Sequence, residues 1–141
     1  MTGVINTDPK LDDLTRIRFI RDKVEDLVKE VDLVVVEGLA YKSVTGHSMT
    51  RAGMWWLVLD RVDDSGVKWI VCEPNKLKKF ATGVGNATKD KVMLATARQF
   101  KDFDGDNNQA DALWLASYGL MCEGKEQLVS TTALRLDVIG R

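Results

Sequence analysis

Leu33-Val34-Val35-Val36-Glu37-Gly38 decides the class of fold. It is an apolar run with no alternation between apolar and polar positions, the pattern of a strand covered on both faces in a parallel sheet, and it ends on a carboxylate and a glycine. The segment before it has a different period. Leu11, Leu14, Ile17, Ile20, Val24, Leu27, Val28 and Val31 recur at steps of three and four, which predicts a helix with one buried face, opened by Asp8 as N-cap and Pro9 at the first helical position. A helix running directly into such a strand marks an α/β protein.

The same signals continue downstream. Ser48 to Arg61, carrying Met49, Ala52, Trp55, Trp56 and Leu59, reads as a second helix, and Val67 to Glu73 as a second strand stopped by Pro74. Pro74 to Phe80 reads as a short helical turn, Thr82-Gly83-Val84-Gly85 as a loop, and residues 86 to 100 as a third helix. A polar loop, Asp102 to Asn107, leads into a fourth helix from Asn108 to Cys122. Beyond Gly124 a tail, residues 124 to 141, contains Leu128, Val129, Leu134, Leu136, Val138 and Ile139 without a dominant period.

With 141 residues, 45% hydrophobic and 29% charged, the chain is expected to form a single domain over residues 1 to 141, neither disordered nor fibrous. Its longest unbroken apolar stretch is far too short to span a membrane, and no signal peptide opens it, so the expected partners exclude membranes and the expected location is cytoplasmic. Cys72 and Cys122 sit in apolar company without metal-ligand spacing, and are expected as free thiols rather than a bridge.

Net charge is −1, but the charges are segregated. Residues 1 to 73 carry −3, residues 74 to 101 carry +6 and residues 102 to 141 carry −4. A basic segment between acidic ones suits a surface that grips a polyanion while carboxylates gather elsewhere, although charge alone equally fits a solvated lysine face.

Two carboxylates invite chemistry. Glu37 ends a buried strand, the place where ligands collect in open parallel sheets. Asp111 lies in Asn108-Gln109-Ala110-Asp111-Ala112-Leu113, within an apolar helix and one turn from Asn108 on the same face. A half-buried carboxylate there needs a metal or a basic partner, unless it merely complements the helix dipole. Asp102, Asp104 and Asp106 do not make a calcium loop: glycine is required where Asn107 stands, and a bidentate Glu where Leu113 stands. The loop Thr82 to Lys89 has the glycines and lysine of a phosphate-approaching turn but the spacing of neither nucleotide fingerprint. His47 and the serines lack the context of a hydrolase triad.

Taken in order, Glu37, Cys72-Glu73-Pro74, Lys78-Lys79-Phe80-Ala81-Thr82-Gly83-Val84-Gly85-Asn86-Ala87-Thr88-Lys89 and Gln109-Ala110-Asp111-Ala112-Leu113 resemble the RuvC-type Holliday-junction resolvases, especially phage-encoded members, over about Leu14 to Leu120. The resemblance implies a ribonuclease H-like fold, a mixed sheet flanked by helices. It also implies a homodimer that cuts branched DNA such as four-way junctions with two Mg²⁺ ions, Mn²⁺ being a possible substitute. Glu37 and Asp111 match two members of the family's acidic quartet, and Asn108 stands where the family has Asp or His. The chain would then use Glu37, Asp111 and Asn108 as metal ligands in catalysis. Lys78, Lys79, Lys89 and Lys91 would contact DNA phosphates, and Trp55 or Trp56 would stand at the centre of the dimer. The family's first strand, which bears the first Asp, has no counterpart, and Gly3 to Asn6 is expected as a remnant of the third. A catalytically incomplete protein that still binds branched DNA is therefore the alternative, and a purely structural interaction domain is the third.

Overall fold

The computed structural model describes residues 3–39 and 48–141. His47 lies outside them. In chain order the elements are α1 (Asp13–Val28), β1 (Leu33–Glu37), α2 (Ser48–Asp64), β2 (Lys68–Cys72), α3 (Pro74–Thr82), α4 (Lys89–Gln99), α5 (Asn107–Cys122) and α6 (Ala133–Ile139). The two strands pair with each other. The Gly38 N–H, just past the end of β1, donates to the Cys72 carbonyl at the end of β2 at 2.9 Å, so their carboxyl ends lie together and they run parallel. All of β1 is half-buried, which explains why its sequence does not alternate.

The chain divides into two compact units, one of Val4–Val34 and Leu39–Ile70, the other chiefly of Val35–Gly38 and Val71–Arg141. In the first unit α1 packs on α2 around buried Ile17, Val28, Leu59 and Val62. The helix starts later than its sequence suggests. Asp8 accepts from the Lys10 N–H at 2.9 Å in a local turn, and Asp12 is the N-cap, accepting from both the backbone N–H and the hydroxyl of Thr15. The doubly bonded cap wins, and Leu11 and Leu14 remain exposed outside the packed face. Gly3 to Asn6, expected as a strand remnant, belongs to no strand.

In the second unit α3, α4 and α6 surround α5. Pro74 occupies the first turn of α3, where its missing N–H costs nothing, and Gly83 ends the helix in the left-handed region at φ 85°. A side chain at Gly85 would lie 3.3 Å from the Asn75 carbonyl, so this second glycine permits a close backbone approach. These structural demands account for the glycines of the loop without any phosphate. Asp106 caps α5 in a reciprocal box with Gln109. The tail forms α6, capped by Thr132 and ended by Gly140.

The centre of this unit is Trp114, 1% exposed. Its ring meets Phe80 of α3 and Phe100 at the end of α4 edge to face, at 6.2 and 5.4 Å between centroids, and its indole N–H donates to the buried Thr96 hydroxyl at 2.9 Å. Both cysteines are free; Cys72 is buried, and desolvation pushes its thiol up to about 12, so it is inert at neutral pH. No helix among the described residues is long and apolar enough to cross a membrane.

Thr96→Val keeps the volume at the centre of this unit but leaves the indole N–H of Trp114 without an acceptor. Denaturant unfolding is expected to show a loss of about 1–3 kcal/mol, whereas an unchanged midpoint would mean that this bond does not hold α4 to α5.

Candidate active site

β1 delivers Glu37 to the carboxyl end of the parallel pair, and the anchored Trp114, one turn further along α5, fixes the helical face that carries Asp111. Both carboxylates belong to the same compact unit. They are close enough to interact: burial raises the pKa of Glu37, the Asp111 charge raises it further, and Lys78 partly offsets both. Asp111 is also raised by burial, and Lys78 and Lys89 pull it back down. Lys78 on α3 thus acts on both carboxylates, and Lys89 at the start of α4 acts on Asp111.

The remaining expected residues are placed as follows. Asn108 lies on the exposed surface one turn before Asp111, on the same helix face, and its side chain makes no hydrogen bond among the described residues. Lys91 is exposed on α4. Lys79 is paired with Asp137 of α6 at 3.2 Å, a contact no local pattern could announce because the partners are far apart in sequence. Trp55 and Trp56 stack edge to face at 4.9 Å on α2, and Trp56 is 62% exposed beside Met49 at 84%. A carboxylate that the sequence reading passed over, Glu73, lies against Gly38: a side-chain carbon on that glycine would sit 3.2 Å from the Glu73 carboxyl. The glycine after the strand therefore leaves room for the Glu73 carboxyl.

The donor set has the chemistry of a hard-cation site. Two half-buried carboxylates that repel each other are stabilised by a divalent cation between or beside them, and oxygen donors are what Mg²⁺ takes. No group of three or more His, Cys, Asp or Glu side chains that could hold a metal occurs among the described residues.

No family model matches the sequence, and no curated protein does. Solved structures define the class of fold: the chain has a RuvC-like fold, consistent with the ribonuclease H-like architecture. RuvC of Thermus thermophilus superposes with a TM-score of 0.69 at 21% identity, covering 89% of this chain and 79% of that one. RuvC of the same organism in complex with a Holliday junction substrate superposes at 0.67 with 24% identity, covering 81% and 72%.

The shifted carboxylates predict a pH dependence. A carboxyl whose folded pKa exceeds its unfolded value binds more protons in the native state, so stability falls as pH rises through that interval and the penalty is complete above the folded pKa. Without divalent ions, Asp111→Asn is therefore expected to unfold at a higher temperature than wild type at neutral pH, and the advantage should vanish at acid pH. Equal midpoints at neutral pH would mean that Asp111 is already compensated.

Proposed function

We propose that the protein is a divalent-metal-dependent endonuclease acting on four-way or otherwise branched DNA. The observation that carries this is the pair Glu37 and Asp111, mutually repelling and flanked by Lys78 and Lys89, on a fold shared with a RuvC that was solved on a Holliday junction. Glu37 and Asp111 would hold Mg²⁺ or Mn²⁺ through their carboxylate oxygens, with Asn108 one turn away offering an amide oxygen. When bound, such an ion supplies Lewis-acid polarisation of a phosphodiester and a water acidic enough to attack it. The chain's own contribution is positioning and charge. Lys78 and Lys89 draw a DNA phosphate toward the carboxylates and neutralise its oxygens, and Lys91 extends that surface along α4. Lys79 joins it only if the exposed pair with Asp137 opens, a change of at most about 1 kcal/mol.

Cutting of a labelled four-way junction in Mg²⁺ tests the reading. Asp111→Asn and Glu37→Gln are expected to slow cleavage by more than ~10²-fold and leave junction binding largely intact, since the basic surface remains. Binding by the wild type without any cutting in Mg²⁺ or Mn²⁺ would favour the second reading, a branched-DNA-binding protein with an incomplete metal site.

Lys89→Ala and Lys78→Ala are each expected to reduce the salt slope of DNA binding by about 1, without sequence preference. An unchanged slope would make them a solvated face.

The exposed edge of α2, with Trp56 and Met49 outward, is proposed to meet the same edge of a second copy, which would place two sites for paired cuts. Sedimentation as a dimer at micromolar concentration is expected, as is dissociation when Trp55 and Trp56 are both made polar; a wild-type monomer overturns this.

A further inference from the structure

Arg135 is the most unusual charge in the protein. It lies in the short helix α6, two residues before Asp137, and is 9% exposed, yet it is paired with no carboxylate among the described residues. Its Nε donates to the Phe80 carbonyl at 3.2 Å, and Nη1 donates to the carbonyl and hydroxyl oxygens of Ser130 at 2.7 and 3.2 Å. The guanidinium stands 5.5 Å from the Phe80 ring and 5.3 Å from the Trp114 ring. These contacts satisfy two nitrogens and the faces of the plane, and leave Nη2 without a hydrogen bond. Neutral carbonyls and rings do not cancel a buried positive charge, and desolvation accordingly lowers the Arg135 pKa.

This arginine lines an open cavity of about 380 Å³ in the second unit, between the end of α3, α4 and α6. Its wall includes Thr82, Lys91, Leu94, Arg98 and Trp114, and no acidic residue. Lys91 and Arg98 are exposed, lie seven residues apart on one face of α4, and have no ion-pair partner among the described residues. One fixed and two mobile cations therefore converge on a space from which carboxylates are excluded. Exposed Leu94 adds an apolar surface of the kind that lies against a sugar or a base.

We propose that this cavity is a phosphate-binding subsite, separate from the carboxylate pair, in which Arg135 supplies a fixed positive charge and its Nη2 donors, and Lys91 and Arg98 close over the anion. The bonds to Phe80 and Ser130 set the guanidinium in place before a ligand arrives, so little side-chain freedom is lost when Nη2 donates to a phosphate oxygen. The source favoured by the basic segment around it is a phosphodiester of a nucleic-acid strand; a free phosphorylated small molecule has the same chemistry. The inference rests on these charges and does not require cleavage.

The full-length protein would be titrated with inorganic pyrophosphate at constant ionic strength, by calorimetry, alongside Arg98→Glu and Arg135→Lys. Saturable binding is expected for wild type, about tenfold or more weaker in Arg98→Glu, whose exposed position leaves folding intact. If Arg135→Lys does not fold, Arg98→Glu decides alone. No saturable binding to wild type, or equal affinity in wild type and Arg98→Glu, overturns the proposal. Competition with a labelled single-stranded oligonucleotide identifies the source: mutual displacement assigns the cavity to strand phosphate, and independent binding of pyrophosphate assigns it to a small phosphorylated ligand. Asp111→Asn is expected to bind pyrophosphate as wild type does, so loss of the nuclease reading leaves this result standing.

Discussion

Trp114 holds the working half of the protein together. One ring contacts α3 through Phe80, the end of α4 through Phe100 and α6 through Arg135, and its only polar atom is satisfied by Thr96. An indole buried to this degree is costly to misplace, because shifting α5 would break apolar contacts on three sides and orphan an N–H in a dry interior. Asp111 is one helical turn away on the same element. The core therefore sets where the carboxylate stands, and the surface does not have to.

That rigidity is used to keep an unfavourable arrangement. Glu37 and Asp111 are partly desolvated and repel each other, and the nearby Lys78 and Lys89 offset this incompletely, since both carboxyls remain shifted upward. Folding concentrates the penalty at one point, where a divalent cation and a phosphate would relieve it together. The aromatic cluster carries a second unresolved charge in Arg135, and its cavity opens beside α4, whose first turn supplies Lys89 and Lys91. A pair of carboxylates and a buried guanidinium thus rest on the same packed rings.

Much of this was legible in the sequence because it is local. The unalternating Leu33 to Val36 run predicted β1, and Pro74 and the polar loop before the apolar stretch of Asn108 to Cys122 predicted the helices that carry the site. Glu37 and Asp111 were visible as charged exceptions within apolar patterns. What stayed hidden depends on competition or on distance. Asp8 and Asp12 are both adequate caps, and only the extra Thr15 hydroxyl bond selects Asp12. Helix α6 has seven residues, too short for a period to declare itself, so Arg135 looked like one more polar residue in an ambiguous tail. The Lys79 and Asp137 pair joins helices that only the tertiary fold brings together.

If Glu37 and Asp111 jointly hold a divalent cation, paramagnetic Mn²⁺ reports it without any DNA. In an NMR titration, substoichiometric Mn²⁺ is predicted to broaden first the backbone amides of Glu37, Gly38 and residues 108 to 112, and Asp111→Asn should remove that effect. Broadening centred on the exposed acids Asp102, Asp104 and Asp106, unchanged by Asp111→Asn, would contradict the account.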